Sequence, residues 1–142
     1  MLNKTSIRTI GIDVHKDTYA LSTYCPDTDS FIGEITTASE SKMVINYVRK
    51  LQKESGPNVT IITGYEAGPT GFGLQRGLLK AGIECKVMAP TTIYEKKGGN
   101  RTKTDRGDAR KLSKALHWGA FKEVVPLSPE DEGTRDYIRN AR

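Results

Sequence analysis

Two carboxylates in this sequence close short apolar segments. Taken alone, an acid in this position is more often a turn residue than a ligand, so it is the two together that indicate a site. Asp13 ends the run RTIGID, and Glu66 follows VTIITGY. An acid at the end of an apolar strand is costly to bury unless it is paired or binds a cation. If the two segments are parallel neighbouring strands, both acids emerge at the edge where open α/β sheets usually place ligands.

Two further acids, Asp105 and Asp108, are three residues apart at the start of a predicted helix. That spacing places both on one face of the helix. Because Asp108 shares its face with Leu112, one turn on, we expect it to point toward the sheet. Acids at a helix N-terminus also cap the helix and favour its dipole, but capping needs only one of them.

Together the four acids predict a site for divalent cations. Carboxylates held close together repel strongly unless a cation lies between them. Oxygen ligands in this number suit Mg²⁺ or Mn²⁺ better than zinc, and two such ions about 4 Å apart can support phosphodiester chemistry. The predicted catalytic and metal-binding residues are Asp13, Glu66, Asp105 and Asp108, with two bound ions.

Positive charge is concentrated around the second pair of acids. Residues 94–122 include nine basic and three acidic residues, a net charge of +6, whereas the whole chain of 142 residues carries +5. Such a concentration is typical of a contact with a polyanion, although a solvated helix face beside a basic loop has the same composition. The residues that we expect to contact nucleic acid are Lys96, Lys97, Arg101, Lys103, Arg106, Arg110 and Lys111.

The spacing of apolar residues predicts the order β-β-β-α-β-α-β-α. The strands are predicted over 8–14, 18–24, 31–36, 59–65 and 84–88, and the first helix from a capping box of Thr37 and Glu40 to about Glu54. A meander followed by alternating helices and strands favours a mixed, five-stranded α/β sheet flanked by helices. This is the order of ribonuclease H-like domains, in which strand one is central and pairs with strand four.

The second helix is predicted to follow the turn 68–71, and the third to run from near Asp105 to Gly119. His117 and Trp118, at the end of the third helix, are expected to be packing groups. The buried stripe of that helix is predicted to consist of Ala109, Leu112, Ala115 and Leu116.

Three segments, GIDVHK, YEAGPTG and KTDRGDA, resemble in order and spacing the three motifs of the DEDD insertion-sequence transposases. These are relatives of the pilin-gene inverting protein and have a RuvC-like N-terminal domain. The resemblance covers essentially the whole chain. It implies a ribonuclease H-like (RuvC-like) fold, and it implies that Asp13, Glu66, Asp105 and Asp108 are the D, E, D and D that bind magnesium.

The resemblance also implies partners and further parts. It implies recombination of a circular element into target DNA, guided in at least some members by a structured RNA, and we expect a homo-oligomer in the full-length protein. Family members carry a coiled coil and a C-terminal transposase domain with a serine that takes part in strand exchange. We therefore expect a catalytic domain over 1–122, and over 123–142 a linker and the start of a helix leading to those parts. Residues 1–142 are then expected to bind metal and nucleic acid but not to complete recombination.

Composition excludes several other classes of protein. Cys25 and Cys85 fit no zinc spacing, and without a secretory signal they are expected to be reduced thiols. No apolar run approaches the roughly 20 residues needed to cross a bilayer. We expect a soluble, cytoplasmic and nucleoid-associated bacterial protein without a membrane partner.

Two alternatives stay open on the sequence alone, and a third lacks a motif that it requires. A Holliday-junction resolvase would use a similar set of acids, and a non-catalytic nucleic-acid-binding or assembly module would carry the same acids as caps. An actin-like nucleotide-binding half-domain requires a glycine-rich turn after the first strand, which His15, Lys16 and Asp17 do not provide. His15 is close enough to Asp13 to touch a metal or phosphate, but we expect a polar turn residue.

Overall fold

The computed structural model describes residues 6–68, 70–90 and 105–125, and for 105–108 the backbone alone. The elements are β1 (Ser6–Val14), β2 (Thr18–Cys25), β3 (Ser30–Ala38), α1 (Ser41–Ser55), β4 (Val59–Glu66), α2 (Gly73–Lys80), β5 (Glu84–Met88), α3 (Asp105–Trp118) and β6 (Glu123–Val124). The order through α3 confirms the sequence prediction, and β6 adds one short strand to it.

The strands form one mixed sheet in the order β3-β2-β1-β4-β5-β6. β1 pairs in parallel with β4, and β4 with β5. The remaining pairs, β1 with β2, β2 with β3 and β5 with β6, are antiparallel. The central position of β1 and its pairing with β4 are as predicted. The sheet has six strands rather than five, because two residues from the segment assigned to a linker pair with the open edge of β5.

The helices divide between the two faces of the sheet, and each face has its own apolar cluster. On one face, Ile10 and Ile12 of β1 pack with residues of α1 and α2, including Val44 and Leu78. On the other face, Leu112, Ala115 and Leu116 of α3 pack with Met88 of β5. The predicted stripe of α3 is therefore buried, Ala109 included. Because side chains alternate along a strand, the odd-numbered residues of β1 face α3.

The predicted capping box at the start of α1 is wrong. Thr37 lies within β3, and its hydroxyl donates a hydrogen bond to the carbonyl oxygen of Ala38. The strand continues because its pairing with β2 extends to Ala38, opposite Thr18. α1 then begins at Ser41, with Glu40 as an N-cap that makes no side-chain cap hydrogen bond.

Two further properties bear on the class of protein. Cys25 and Cys85 are both buried and form no disulfide. Within the described parts of the chain, no helix has both the length and the apolar composition needed to span a membrane.

Candidate carboxylate site at the end of β1 and β4

Asp13 and Glu66 lie side by side at the carboxyl ends of two parallel strands. The register pairs Gly11 with Gly64 and Ile12 with Tyr65, so the next residue of each strand is an acid. Neighbours at the same level of a parallel pair project from the same face of the sheet. This is the juxtaposition on which the sequence-based site depended, and it follows from the register of the backbone.

The face on which the two acids lie is the one covered by α3. A Cβ atom added to Gly11 would lie 2.3 Å from the carbonyl oxygen of Ala109, and one added to Gly64 would lie 2.7 Å from a methyl group of Leu116. Asp13 and Glu66 are each two residues beyond one of these glycines, and therefore on the same face. Glu66 is also in register with Met88, which belongs to the apolar cluster under α3.

The helix α3 runs in the opposite direction to β1. Thr9 donates a hydrogen bond to the carbonyl oxygen of Ser113 at 2.8 Å, and Gly11 lies against Ala109, one turn earlier in the helix. Two strand residues and one helical turn cover similar distances, about 6 to 7 Å and about 5.4 Å. Continuing from Gly11 to Asp13 therefore leads to the first turn of α3, whose backbone begins at Asp105.

The side chains of Asp105 and Asp108, both predicted to bind metal, lie outside the described residues, as does that of Arg106. Among the described side chains, no group of three or more histidine, cysteine or acidic residues could hold a metal ion. Of the four acids predicted to be oxygen ligands, Asp13 and Glu66 are the two whose side chains are described. Hard divalent cations such as Mg²⁺ accept this donor type, often with few protein ligands and several waters.

His15 is closer to the site than the sequence suggested. It begins the turn between β1 and β2, where its amide donates to the carbonyl oxygen of Thr18, as expected of a turn residue. Its Nε2 atom, however, lies 3.1 Å from Oδ2 of Asp13. The Asp13 side chain is only 13% exposed, whereas that of His15 is 42% exposed. The sequence did contain a signal for this contact. His15 follows Asp13 by two residues at the end of a strand, and residues two apart on a strand lie on the same face.

The backbone at Glu66 is held by the tyrosine that precedes it. The hydroxyl of Tyr65 accepts a hydrogen bond from the amide of Gln75 and donates one to the carbonyl oxygen of Gly71, at 3.2 and 3.0 Å. Burial raises the pKa of Tyr65 to about 12, so the hydroxyl stays protonated and remains a donor. These bonds fix the turn between β4 and α2.

Of the residues predicted to contact nucleic acid, Arg110 and Lys111 are described with their side chains, and Lys96, Lys97, Arg101 and Lys103 lie outside the described residues. Lys111 is exposed. Arg110 makes a bidentate ion pair with Glu34 of β3, in which the second contact, from Nη2 to Oε1, is 3.1 Å. The charge of Arg110 is thus offset by an acid 76 residues earlier, a pairing that the sequence gave no sign of.

A comparison with solved structures defines the class of fold. The chain is similar to RuvC of T. thermophilus, determined in complex with a Holliday junction substrate, with a TM-score of 0.55 over 83% of this chain and 99% of that one. Sequence identity is 10%, so the likeness concerns the fold. The protein has a ribonuclease H-like fold of the RuvC type, which confirms the predicted fold class.

Comparisons of sequence lead to transposases. The chain is 30% identical over 132 residues to the transposase for insertion sequence element IS1533 of Leptospira borgpetersenii, covering 92% of this chain and 37% of that protein. It is 44% identical over 75 residues to the putative transposase y4qE of Sinorhizobium fredii, covering 53% and 19% respectively. The chain thus spans well under half the length of these curated relatives. No protein-family model matches it. The names of the relatives agree with the family that the three motifs resemble.

Proposed function

We propose that this chain is the DNA-processing domain of an insertion-sequence transposase, in which Asp13, Glu66, Asp105 and Asp108 hold divalent cations. The observation that carries the proposal is the placement of Asp13 and Glu66 as parallel neighbours on the face covered by α3. The RuvC-like fold and the transposase relatives support the same conclusion.

The chain's own residues would position a DNA strand at this edge. Asp13 and Glu66 lie on the face covered by α3, whose first turn carries Asp105 and Asp108 in the sequence. Bound Mg²⁺ or Mn²⁺, two ions in our proposal, would supply activation of a nucleophile and stabilisation of the leaving oxygen. Lys111 and the other basic residues around α3 would hold backbone phosphates by charge, without reading sequence.

Close packing of α3 on β1 would keep the two halves of the site in fixed relation. Gly11 brings the backbone of β1 directly against the backbone of α3 at Ala109 and Ser113, just beyond the first turn of the helix. Preorganised ligands of this kind are what a metal site requires of its scaffold. His15, in contact with Asp13, would orient that carboxylate in the manner of an outer-shell partner.

Calorimetric titration with Mn²⁺ tests the site directly. The wild-type chain should bind, and Asp13→Asn and Glu66→Gln should each lose most of the binding while circular dichroism shows an intact fold. Glu84→Gln is the control, because Glu84 is an exposed acid at the start of β5, in register with Ile62, four residues before Glu66. Unchanged Mn²⁺ binding in the folded Asp13→Asn and Glu66→Gln variants would favour a non-catalytic nucleic-acid-binding module instead.

A junction resolvase is the second candidate, because RuvC, described with a Holliday junction, matches over nearly its whole chain. The two candidates differ in substrate. A resolvase would act on a four-way junction, whereas a transposase domain would act on the ends of its element. Use of a guide RNA, a homo-oligomer, cytoplasmic localisation and the domain boundary at residue 122 stay predictions from the sequence and its resemblance.

A further inference from the structure

Aromatic rings form a continuous row along the side of α3 that faces β2 and β3. Phe31 and Tyr24 have centroids 5.5 Å apart, Tyr24 and His117 are 5.8 Å apart, and His117 and Trp118 are 4.4 Å apart. Tyr24, the second ring of the row, is buried at 2% exposure, whereas Trp118 at its end is 65% exposed. The expectation that Trp118 is a packing group is therefore wrong.

The exposed indole contacts the next ring of the row. His117 meets Trp118 edge-on, with an angle of 77° between the ring planes. The next ring, Tyr24, is anchored by a hydrogen bond from its hydroxyl to Oδ1 of Asp29 at 2.6 Å. The aromatic row thus continues from the exposed indole to a buried ring that is held by a hydrogen bond.

Two lysines lie on the same side of the helix as the indole. Lys114 and Lys111 precede Trp118 by four and seven residues, the spacings that share a helical face, and both are exposed. The ammonium group of Lys114 lies 5.7 Å from the centroid of the Tyr24 ring. Lysine is depleted from the cores of protein–protein interfaces, which argues against a polypeptide as the occupant of this surface.

We propose that Trp118, with Lys111 and Lys114, is a stacking site for an unpaired nucleotide of the bound strand. A flat, exposed aromatic ring beside cations is the combination that holds single-stranded nucleic acids, since every base has a face to stack and every nucleotide a phosphate. The surface selects unpaired over paired bases, because a base within a duplex has both faces covered by its neighbours.

This assignment extends the proposed function. It rests on that function for the position of the bound strand, whose reacting phosphate would lie at the carboxylate site. Trp118 lies thirteen residues along α3 from Asp105, about 20 Å at the rise of an α-helix. A strand whose phosphate is at the carboxylate edge would reach Trp118 within a few nucleotides. The stacked base would therefore belong to the unpaired DNA or RNA beside the reacting phosphodiester.

The fluorescence of the chain tests this site directly, because Trp118 is its single tryptophan. Titration of the full chain with an oligothymidylate should quench the emission in a saturable manner, and an oligouridylate of equal length tests RNA against DNA. A blunt duplex and polyglutamate, which offer charge without free bases, should quench little. Equal quenching by polyglutamate or by the blunt duplex, or no quenching by either single strand, would overturn the assignment.

Substitutions provide an independent measurement by fluorescence anisotropy of a labelled oligothymidylate. Trp118→Ala should weaken binding about tenfold, as expected for loss of one stacked base, and Trp118→Phe should recover most of the loss. Leu79→Ala is the control, because Leu79 is also exposed, at 51%, and lies on α2 across the sheet. Wild-type affinity in Trp118→Ala would contradict the proposal.

The two proposals fail in different measurements. Trp118→Ala should retain the calorimetric Mn²⁺ signal, and Asp13→Asn should retain the quenching by oligothymidylate. If both acid variants still bind Mn²⁺, the proposed catalytic function is contradicted and the stacking site is unaffected. Absence of quenching in a chain that binds Mn²⁺ through Asp13 would remove the stacking site alone.

Discussion

The hydroxyl of Thr9 donates a hydrogen bond at 2.8 Å to the carbonyl oxygen of Ser113, which follows it by 104 residues. Both residues are fully buried, and the bond joins the central strand to the middle of α3. Because the helix runs antiparallel to β1, this contact helps to set how far α3 extends toward Asp13. The geometry of the candidate site therefore depends on contacts in the core beneath it.

Replacement of Thr9 by valine should measure the strength of that attachment. Thr9→Val keeps the shape of the side chain and removes the donor, so we expect the free energy of unfolding in urea to fall by about 1 kcal/mol. Thr60→Val is the matched control, since Thr60 lies exposed on β4 and should change stability little. Equal costs for the two substitutions would mean that the buried bond contributes nothing specific.

Added methyl groups on the two glycines under α3 should differ in cost. In Gly11→Ala the new atom would meet backbone, the carbonyl of Ala109 and the amide nitrogen of Ser113, at 2.3 and 2.4 Å. In Gly64→Ala it would meet the ends of the Leu116 and Met88 side chains, which can rotate away. Since overpacking costs roughly 1–3 kcal/mol, we expect the upper end of this range or more for Gly11→Ala and the lower end for Gly64→Ala.

Urea denaturation of both glycine variants, with Mn²⁺ calorimetry on whichever remains folded, checks this prediction. Gly11→Ala should also weaken Mn²⁺ binding, because α3 must move away from β1. A Gly11→Ala protein as stable as Gly64→Ala would contradict the close approach of strand and helix.

Arg110 and Lys111 should contribute differently to nucleic-acid binding, although they are adjacent in sequence. Lys111→Gln should lower the affinity for DNA and reduce the salt dependence of binding by about one unit of slope. Arg110→Gln should have a smaller effect on both, because Glu34 already offsets that charge. Glu34→Gln should raise affinity by releasing the guanidinium. Affinities measured between 50 and 200 mM salt test the order, and a larger loss for Arg110→Gln than for Lys111→Gln would contradict it.

Stability should fall at alkaline pH through a buried thiol. Burial raises the pKa of Cys85 from 9.0 to about 11, so the folded state keeps the proton that the unfolded state releases. The contribution is complete below pH 9 and is lost as the pH rises to about 11, at roughly 1 kcal/mol per pH unit. Urea unfolding across this window should show a steeper decline for the wild type than for Cys85→Ala. Comparison of slopes avoids the constant cost of the cavity, and parallel slopes would contradict the assignment.

The local pattern of the sequence determined most of the elements and the identity of the candidate acids. The apolar runs of β1 and β4 and the stripe through Leu112 and Leu116 carry the periodicity of a strand and of a helix. Asp13 and Glu66 each end an apolar run, and it was this shared position that made them candidates. Such features depend on a few neighbouring residues, and for that reason they can be predicted from the sequence.

Contacts between residues that are distant in the sequence were decided by the tertiary structure alone. Thr37 pairs with β2 as part of β3 and therefore does not form the predicted capping box. The strand β6 pairs with the open edge of β5, and its two residues are too few to show an alternation of apolar and polar side chains. The contact of Arg110 with Glu34 and the exposure of Trp118 depend on where α3 crosses the sheet. These outcomes depend on the packing of segments that are distant in the chain, and local residue spacing does not encode that packing.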